Sequence, residues 1–215
     1  MTDNYLIQKN KTQLYKYALL LAYITIFYNI VEGTVSVFLG LEDETLSLFG
    51  FGVDSFVEVI SGIGIWHMLL RIRNNNGETR DGFEKTALRI TGTAFYILTI
   101  GLTVTAVYNI YINHHPETTF WGIIISVISI LTMTFLIYYK QKIGRALDSK
   151  AIIADANCTK TCLYLSVVLL IASLGYELTG IGGIDSVGAV VIAWFSFKEG
   201  KEAFEKAKSG NLCGC

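Results

Sequence analysis

Two pairs of metal-capable side chains stand four residues apart inside apolar stretches. Asp54 and Glu58 lie in FGFGVDSFVEVISGIGIWHMLL, and Cys158 and Cys162 lie in SKAIIADANCTKTCLYLSVVLL. Positions i and i+4 of a helix share one face, one turn apart. Two such helices meeting face to face would bring two carboxylates and two sulfurs around one point. That is the ligand number and chemistry that zinc takes in a tetrahedral site. Sulfur softens the set and favours zinc, cadmium, mercury, lead or monovalent copper over magnesium and calcium. Ionisable groups in a membrane-crossing segment are costly and mark ion or proton paths. Loading such ligands with metal releases their protons. A site that holds protons and metal in turn can exchange one for the other across a bilayer.

Other candidates surround these four. Asn29 and Glu32 share a face of the first apolar run, with Glu32 a candidate proton carrier, an extra ligand or a partner for Lys160. Asp155, one turn before Cys158, either shapes the inner entrance or orients its helix. Lys160 is two positions from Cys158, roughly 200° around a helix. It is expected to point away from the site and to pair with an acid of another helix or to snorkel. His67 is expected to pack at an interface, and His114, His115 and Glu117 to form a solvated loop. The acids of LEDET read as surface charge, and Glu177 and Asp185 as helix caps. Cys213 and Cys215 end the chain as Cys-Gly-Cys, a dithiol able to capture soft ions.

The elements that must position these residues are membrane helices. The chain is 52% hydrophobic and only 16% charged, against about 25% charged in a soluble domain. Six runs reach the roughly 20 apolar residues that a span requires: 14–39, 48–70, 86–112, 120–139, 151–176 and 183–197, the last continuing as a helix into the tail. The expected organisation is a cytoplasmic segment 1–13, a transmembrane domain 14–200 and a short cytoplasmic tail 201–215. The first run is too long for a cleaved signal peptide and is expected to be retained. All but Lys160 of the 17 Lys and Arg residues fall on one side of the spans. The positive-inside rule therefore puts both termini in the cytoplasm. Trp121 and Tyr111 suit the outer interface, and Tyr138, Tyr139 and Trp66 the inner one. Ser61, Gly62, Gly64, Gly188 and Ala189 allow close helix approach. Nothing in the charge distribution suggests nucleic-acid binding.

GVDSFVEV and SKAIIADANCTKTC together resemble the cation diffusion facilitator family. That family's second helix carries two carboxylates four apart, the frame held here by Asp54 and Glu58. Its fifth helix commonly reads S-x-A-x-x-A-D-x-x-H-x-x-x-D. Ser149, Ala151, Ala154 and Asp155 match, with Cys158 at the histidine position and Cys162 at the second aspartate position. The N-x-x-E frame of Asn29 and Glu32 is similar to that of compact bacterial members. The resemblance implies an all-α bundle of six transmembrane helices, a homodimer and metal/proton antiport. Two cysteines in place of His and Asp depart from the pattern and bear on which metal is preferred. The family's C-terminal cytoplasmic domain is expected to be absent.

The sequence thus points to a multi-pass protein of the cell (inner or plasma) membrane. Its expected function is secondary transport: export of a soft or borderline divalent metal, zinc-like, in exchange for protons. The expected metal ligands are Asp54, Glu58, Cys158 and Cys162. Asn29, Glu32, Asp155 and Lys160 are supporting or proton-handling residues. No covalent catalysis and no prosthetic group are implied. The rival readings are metal uptake or sensing, and a membrane thiol oxidoreductase. The last is disfavoured because a helical C-x-x-x-C pair is a poor disulfide frame.

Overall fold

Apolar runs broken by polar turns dictate a helical bundle, and the computed structural model, which describes residues 2–74 and 82–209, has that form. Its helices are α1 (Thr2–Glu42), α2 (Leu46–Arg73), α3 (Gly82–Tyr111), α4 (Phe120–Ala146), α5 (Lys150–Thr179) and α6 (Gly183–Ser209), with no strand among the described residues. Cys213 and Cys215 lie outside the described residues. Five helices, α1 to α5, are long and apolar enough to cross a membrane. α6 is not among these five: its apolar run 183–197 gives way to Lys198, Glu199, Lys201 and Glu202, so its second half is polar, though still helical as expected. The other helices also outrun their apolar cores, because backbone hydrogen bonding continues once the chain leaves hydrocarbon. Gly180 adopts φ 68° and ends α5 in the left-handed conformation that glycine accepts without a Cβ clash.

The helices pair as α1 with α2, α3 with α6 and α4 with α5, and α2 also touches α3, α5 and α6. α2 is therefore the central element, and its polar residues face neighbours rather than lipid. The α3–α6 contact depends on missing side chains. A Cβ on Gly92 would come within 2.8 Å of the Phe204 ring and 3.1 Å of the Gly200 carbonyl oxygen. Small residues let membrane helices approach this closely. One apolar core holds Leu48, Phe51, Leu102, Leu165, Leu169 and Ile192, towards the end away from the basic residues. The other holds Leu21, Met68, Leu69, Met133, Leu136 and Ile152, towards the basic end. Asp54 and Glu58 fall on α2 between these cores. Outward-facing Ile97, Leu131 and Ile171 give the bundle an apolar, lipid-compatible surface.

The expected caps exist, but they act on other helices. Asp185 of α6 accepts hydrogen bonds from the backbone N–H groups of Leu46 (2.8 Å) and Ser47 (3.1 Å) and from the Ser47 hydroxyl, capping α2. Glu177 of α5 accepts from the Thr119 N–H (2.6 Å) and the Thr118 hydroxyl (2.8 Å), capping α4. These carboxylates meet the exposed donors and positive dipole end of each recipient helix. At the end away from the basic residues, Glu42, Glu44, His115 and Glu117 stay exposed as expected, but the loop backbones pack together. The Glu117 N–H donates to the Asp43 carbonyl (3.0 Å), the Thr45 hydroxyl to the Thr118 carbonyl (2.9 Å), and His114 Nε2 lies 3.5 Å from Glu44. Asp43, read as surface charge, is buried with one carboxylate oxygen unpartnered. Docking of 113–119 onto the α1–α2 turn covers it. No local pattern in LEDET signals that long-range contact.

Candidate metal site

The helical spacing of α2 puts Glu58, Ser61, Ile65 and Met68 along one side, and all four line an internal cavity of about 70 Å³. From α5 come Ala151, Asp155, Cys158 and Cys162, and from α1 Thr25 and Asn29. The cavity reaches from Glu58 towards Glu84 and Lys206, at the end where the basic residues gather. A water needs roughly 10–15 Å³ of such space, so an ion with a few waters fits.

At the head of the cavity the two helices meet chemically. Cys162 Sγ lies 2.6 Å from Glu58 Oε1, in position to donate its proton. On the other oxygen, Asn29 Nδ2 donates to Glu58 Oε2 at 3.1 Å. The Asn29 amide oxygen is buried without a partner and is a further acceptor at the same place. A carboxylate, a thiol and an amide oxygen from three helices therefore converge. Neither Cys158 nor Cys162 is in a disulfide.

The four expected ligands do not share one point in this conformation. Among the described residues no three His, Cys, Asp or Glu side chains are grouped to hold an ion. Asp54 is buried one turn from Glu58 and within its electrostatic reach, but it accepts from Ser196 Oγ of α6 at 3.2 Å. Cys158 lies one turn towards the basic end, its sulfur 3.9 Å from Lys206 Nζ. The structure thus joins Glu58 to Cys162 directly, with Asp54 and Cys158 flanking them.

The supporting residues sort differently. Glu32 accepts from Tyr28 OH (2.9 Å) and Ser55 Oγ (3.1 Å), a hydroxyl cage rather than a pair with Lys160. Asp155 is bound by the buried Lys140 at 3.0 Å, and Lys140 also donates to Thr159. That ion pair ties α4 to α5 and commits Asp155 to a cation already present. Lys160 bonds Asn157 of its own helix at 2.9 Å, so the expected partner on another helix is replaced by a local one. It lines a separate groove with Cys158, Glu199 and Glu202 and is not among the residues that line the cavity of Glu58 and Cys162. The three-residue spacing to Asn157 made the short-range bond available. His67 packs as expected, its ring 4.7 Å from that of Phe83 and its Nδ1 3.4 Å from Glu84.

Sequence reading missed Tyr28, Lys140, Glu84, Glu199 and Lys206. Glu199 lines the cavity with Glu58 and accepts from Thr161 at 2.9 Å. Its signal lay in α6, where Ser196, Glu199, Ala203 and Lys206 recur at three- and four-residue steps. That stripe looked like ordinary tail charge because the apolar run had already ended. Glu84 is fully buried and takes two hydrogen bonds from Arg71, 3.0 and 3.1 Å, across the α2–α3 turn. The cation efflux transmembrane domain family matches this chain over residues 18–209, which takes in α2 to α6, most of α1 and every residue of the cavity.

Proposed function

Because the chain belongs to the cation efflux family and is a multi-pass membrane protein that exports metal cations, we propose that its cargo is a soft or borderline divalent metal, zinc-like, exchanged for protons. The family consists of transporters rather than enzymes, and no covalent step is needed here. The observation that carries the reading is the contact between Cys162 Sγ and Glu58 Oε1 at 2.6 Å, between two helices and inside a cavity. A thiol donating to a carboxylate is the protonated counterpart of a thiolate and a carboxylate sharing a metal ion. An incoming cation would displace the proton between them and take both atoms, so metal and proton would occupy the site alternately.

In this reading Glu58 and Cys162 are the first ligands taken, and the Asn29 amide oxygen is at hand beside them. Asp54 would join by leaving Ser196, and Cys158 by leaving Lys206. Both stand one helical turn from the central pair, so side-chain rotation with a modest helix shift completes a four-ligand set. Two sulfurs favour zinc, cadmium or a softer ion over hard cations. Glu32, held by Tyr28 and Ser55, is the neighbouring group that could take a displaced proton. The working unit is proposed to be a homodimer. The Asp185 and Glu177 caps tie the helices together at one end, while the cavity extends towards the basic end, an arrangement suited to loading from the cytoplasm. Nothing specific favours uptake, sensing or thiol oxidoreduction.

The test is transport in proteoliposomes with an imposed pH gradient and a panel of zinc, cadmium, cobalt, manganese and magnesium. Metal flux that follows the gradient, with zinc or cadmium preferred and Glu58→Gln inactive, is the expected result. A proton flux indifferent to every metal would remove the antiport mechanism.

A further inference from the structure

Basic residues near the end of a membrane helix ordinarily reach out to water or headgroups. On α6, Lys198 lies 3.8 Å over the Trp194 ring, and Lys201 is exposed beside Glu205. Lys206 turns the other way. It is 8% exposed and lines the same cavity as Glu58, Cys158 and Cys162. Its Nζ lies 3.9 Å from Cys158 Sγ and 3.3 Å from Glu202. An ammonium is a compact point charge with three donors and no acceptor. It cannot ligate a metal. It can, however, supply the positive charge that a metal would bring to a sulfur and a carboxylate.

We propose that Lys206 is a tethered cation that holds Cys158 until an incoming metal ion displaces it from the sulfur. This deepens the metal-site reading above and rests on it. Cys158 lines the cavity one helical turn from Cys162, on the side where Ala151, Asp155 and Lys206 lie. An ion moving inward from the basic end meets this sulfur before it meets Cys162. To take it, the ion must move Lys206, whose flexible stem and neighbour Glu202 offer the ammonium a nearby resting place. A thiophilic ion gains enough from sulfur to do so. A hard ion gains little and must also face the lysine's charge. Lys206 therefore acts as a selectivity-determining residue that weakens binding of all cations and is overcome by those that prefer sulfur.

The probe is cadmium ion, titrated against a chromogenic chelator into the purified full-length protein in detergent. Lys206→Met is expected to bind cadmium about tenfold more tightly than wild type, the scale of one well-placed charge interaction. Lys206→Arg keeps the charge and stays within about twofold. Lys201→Met makes the same change in net charge on the same helix and has no effect. In a Cys158→Ser background the gain from Lys206→Met falls below about twofold, because the two residues act through one contact. Should the methionine variant fail to yield monodisperse protein, Lys206→Gln carries the same expectations. Unchanged cadmium affinity in the Lys206 variants overturns the proposal. So does an undiminished gain in the Cys158→Ser background, which would make Lys206 a remote charge. In both cases, wild-type binding lost in Cys162→Ser leaves the metal site standing. Wild-type protein that binds no cadmium overturns the site reading itself.

Discussion

Cys162→Ser separates metal binding from folding at the central contact. The Cys162 thiol donates to Glu58 Oε1 at 2.6 Å and lies in the buried core between α1, α2, α4 and α5. A serine hydroxyl is also a donor, and O–H···O bonds span about 2.5–3.0 Å. The link to Glu58 therefore survives, and the stability change is expected to stay below about 1 kcal/mol. Metal binding responds differently. Four-ligand zinc sites in small folded peptides are worth about 10–16 kcal/mol. An even share per ligand is roughly 2.5–4 kcal/mol, or about 10²–10³ in affinity. A hydroxyl recovers little of that for a soft ion. Cadmium affinity, read by chelator competition, should fall by about that factor while the thermal unfolding midpoint in detergent moves little. Manganese, which gains little from sulfur, should lose much less. Cadmium affinity within about threefold of wild type in a folded Cys162→Ser protein would refute the assignment of Cys162 as a ligand.

Three further outcomes follow from the geometry. Asp185→Asn keeps one amide oxygen where a carboxylate held three donors of Leu46 and Ser47; the lost cap should cost about 1–2 kcal/mol, seen as a lower unfolding midpoint and faster amide exchange at the start of α2. Lys140→Met leaves the Asp155 carboxylate buried without its cation and should cost about 3–5 kcal/mol; adding Asp155→Asn should recover most of it, and a double variant no better than the single would count against the ion pair. Burial holds the Asp43 carboxyl above its ordinary range, and Glu42, Glu117 and Glu177 push it further. Its charge thus opposes folding: the penalty is absent below the unfolded value near pH ~3.9, grows as pH rises towards the folded value and is complete above it. Asp43→Asn should therefore raise the midpoint at pH 7 by about 1–3 °C and change it little at acid pH; an equal rise at both would point to a cause other than charge.

Much of this protein is determined by local sequence. The apolar runs fix the helices because a bilayer leaves backbone groups only the helix's own carbonyls as partners. The four-residue spacings of Asp54 with Glu58 and of Cys158 with Cys162 fix which side chains share a face. The distribution of Lys and Arg makes one end of the bundle basic. These are short-range properties, readable one helix at a time. Other features depend on which helices touch. Asp185 and Glu177 read as caps, but only the assembled bundle shows that they cap α2 and α4 instead of their own helices. Lys140 reads as a loop charge until α4 lies against α5 and delivers it to Asp155. Glu199 and Lys206 read as tail charges until α6 packs beside α2 and α5. Even the central pair was legible only as two separate faces. Tertiary packing selected Glu58 for Cys162, turned Asp54 to Ser196 and set Cys158 beside Lys206, because side-chain contacts between helices depend on rotation and depth that no single helix encodes.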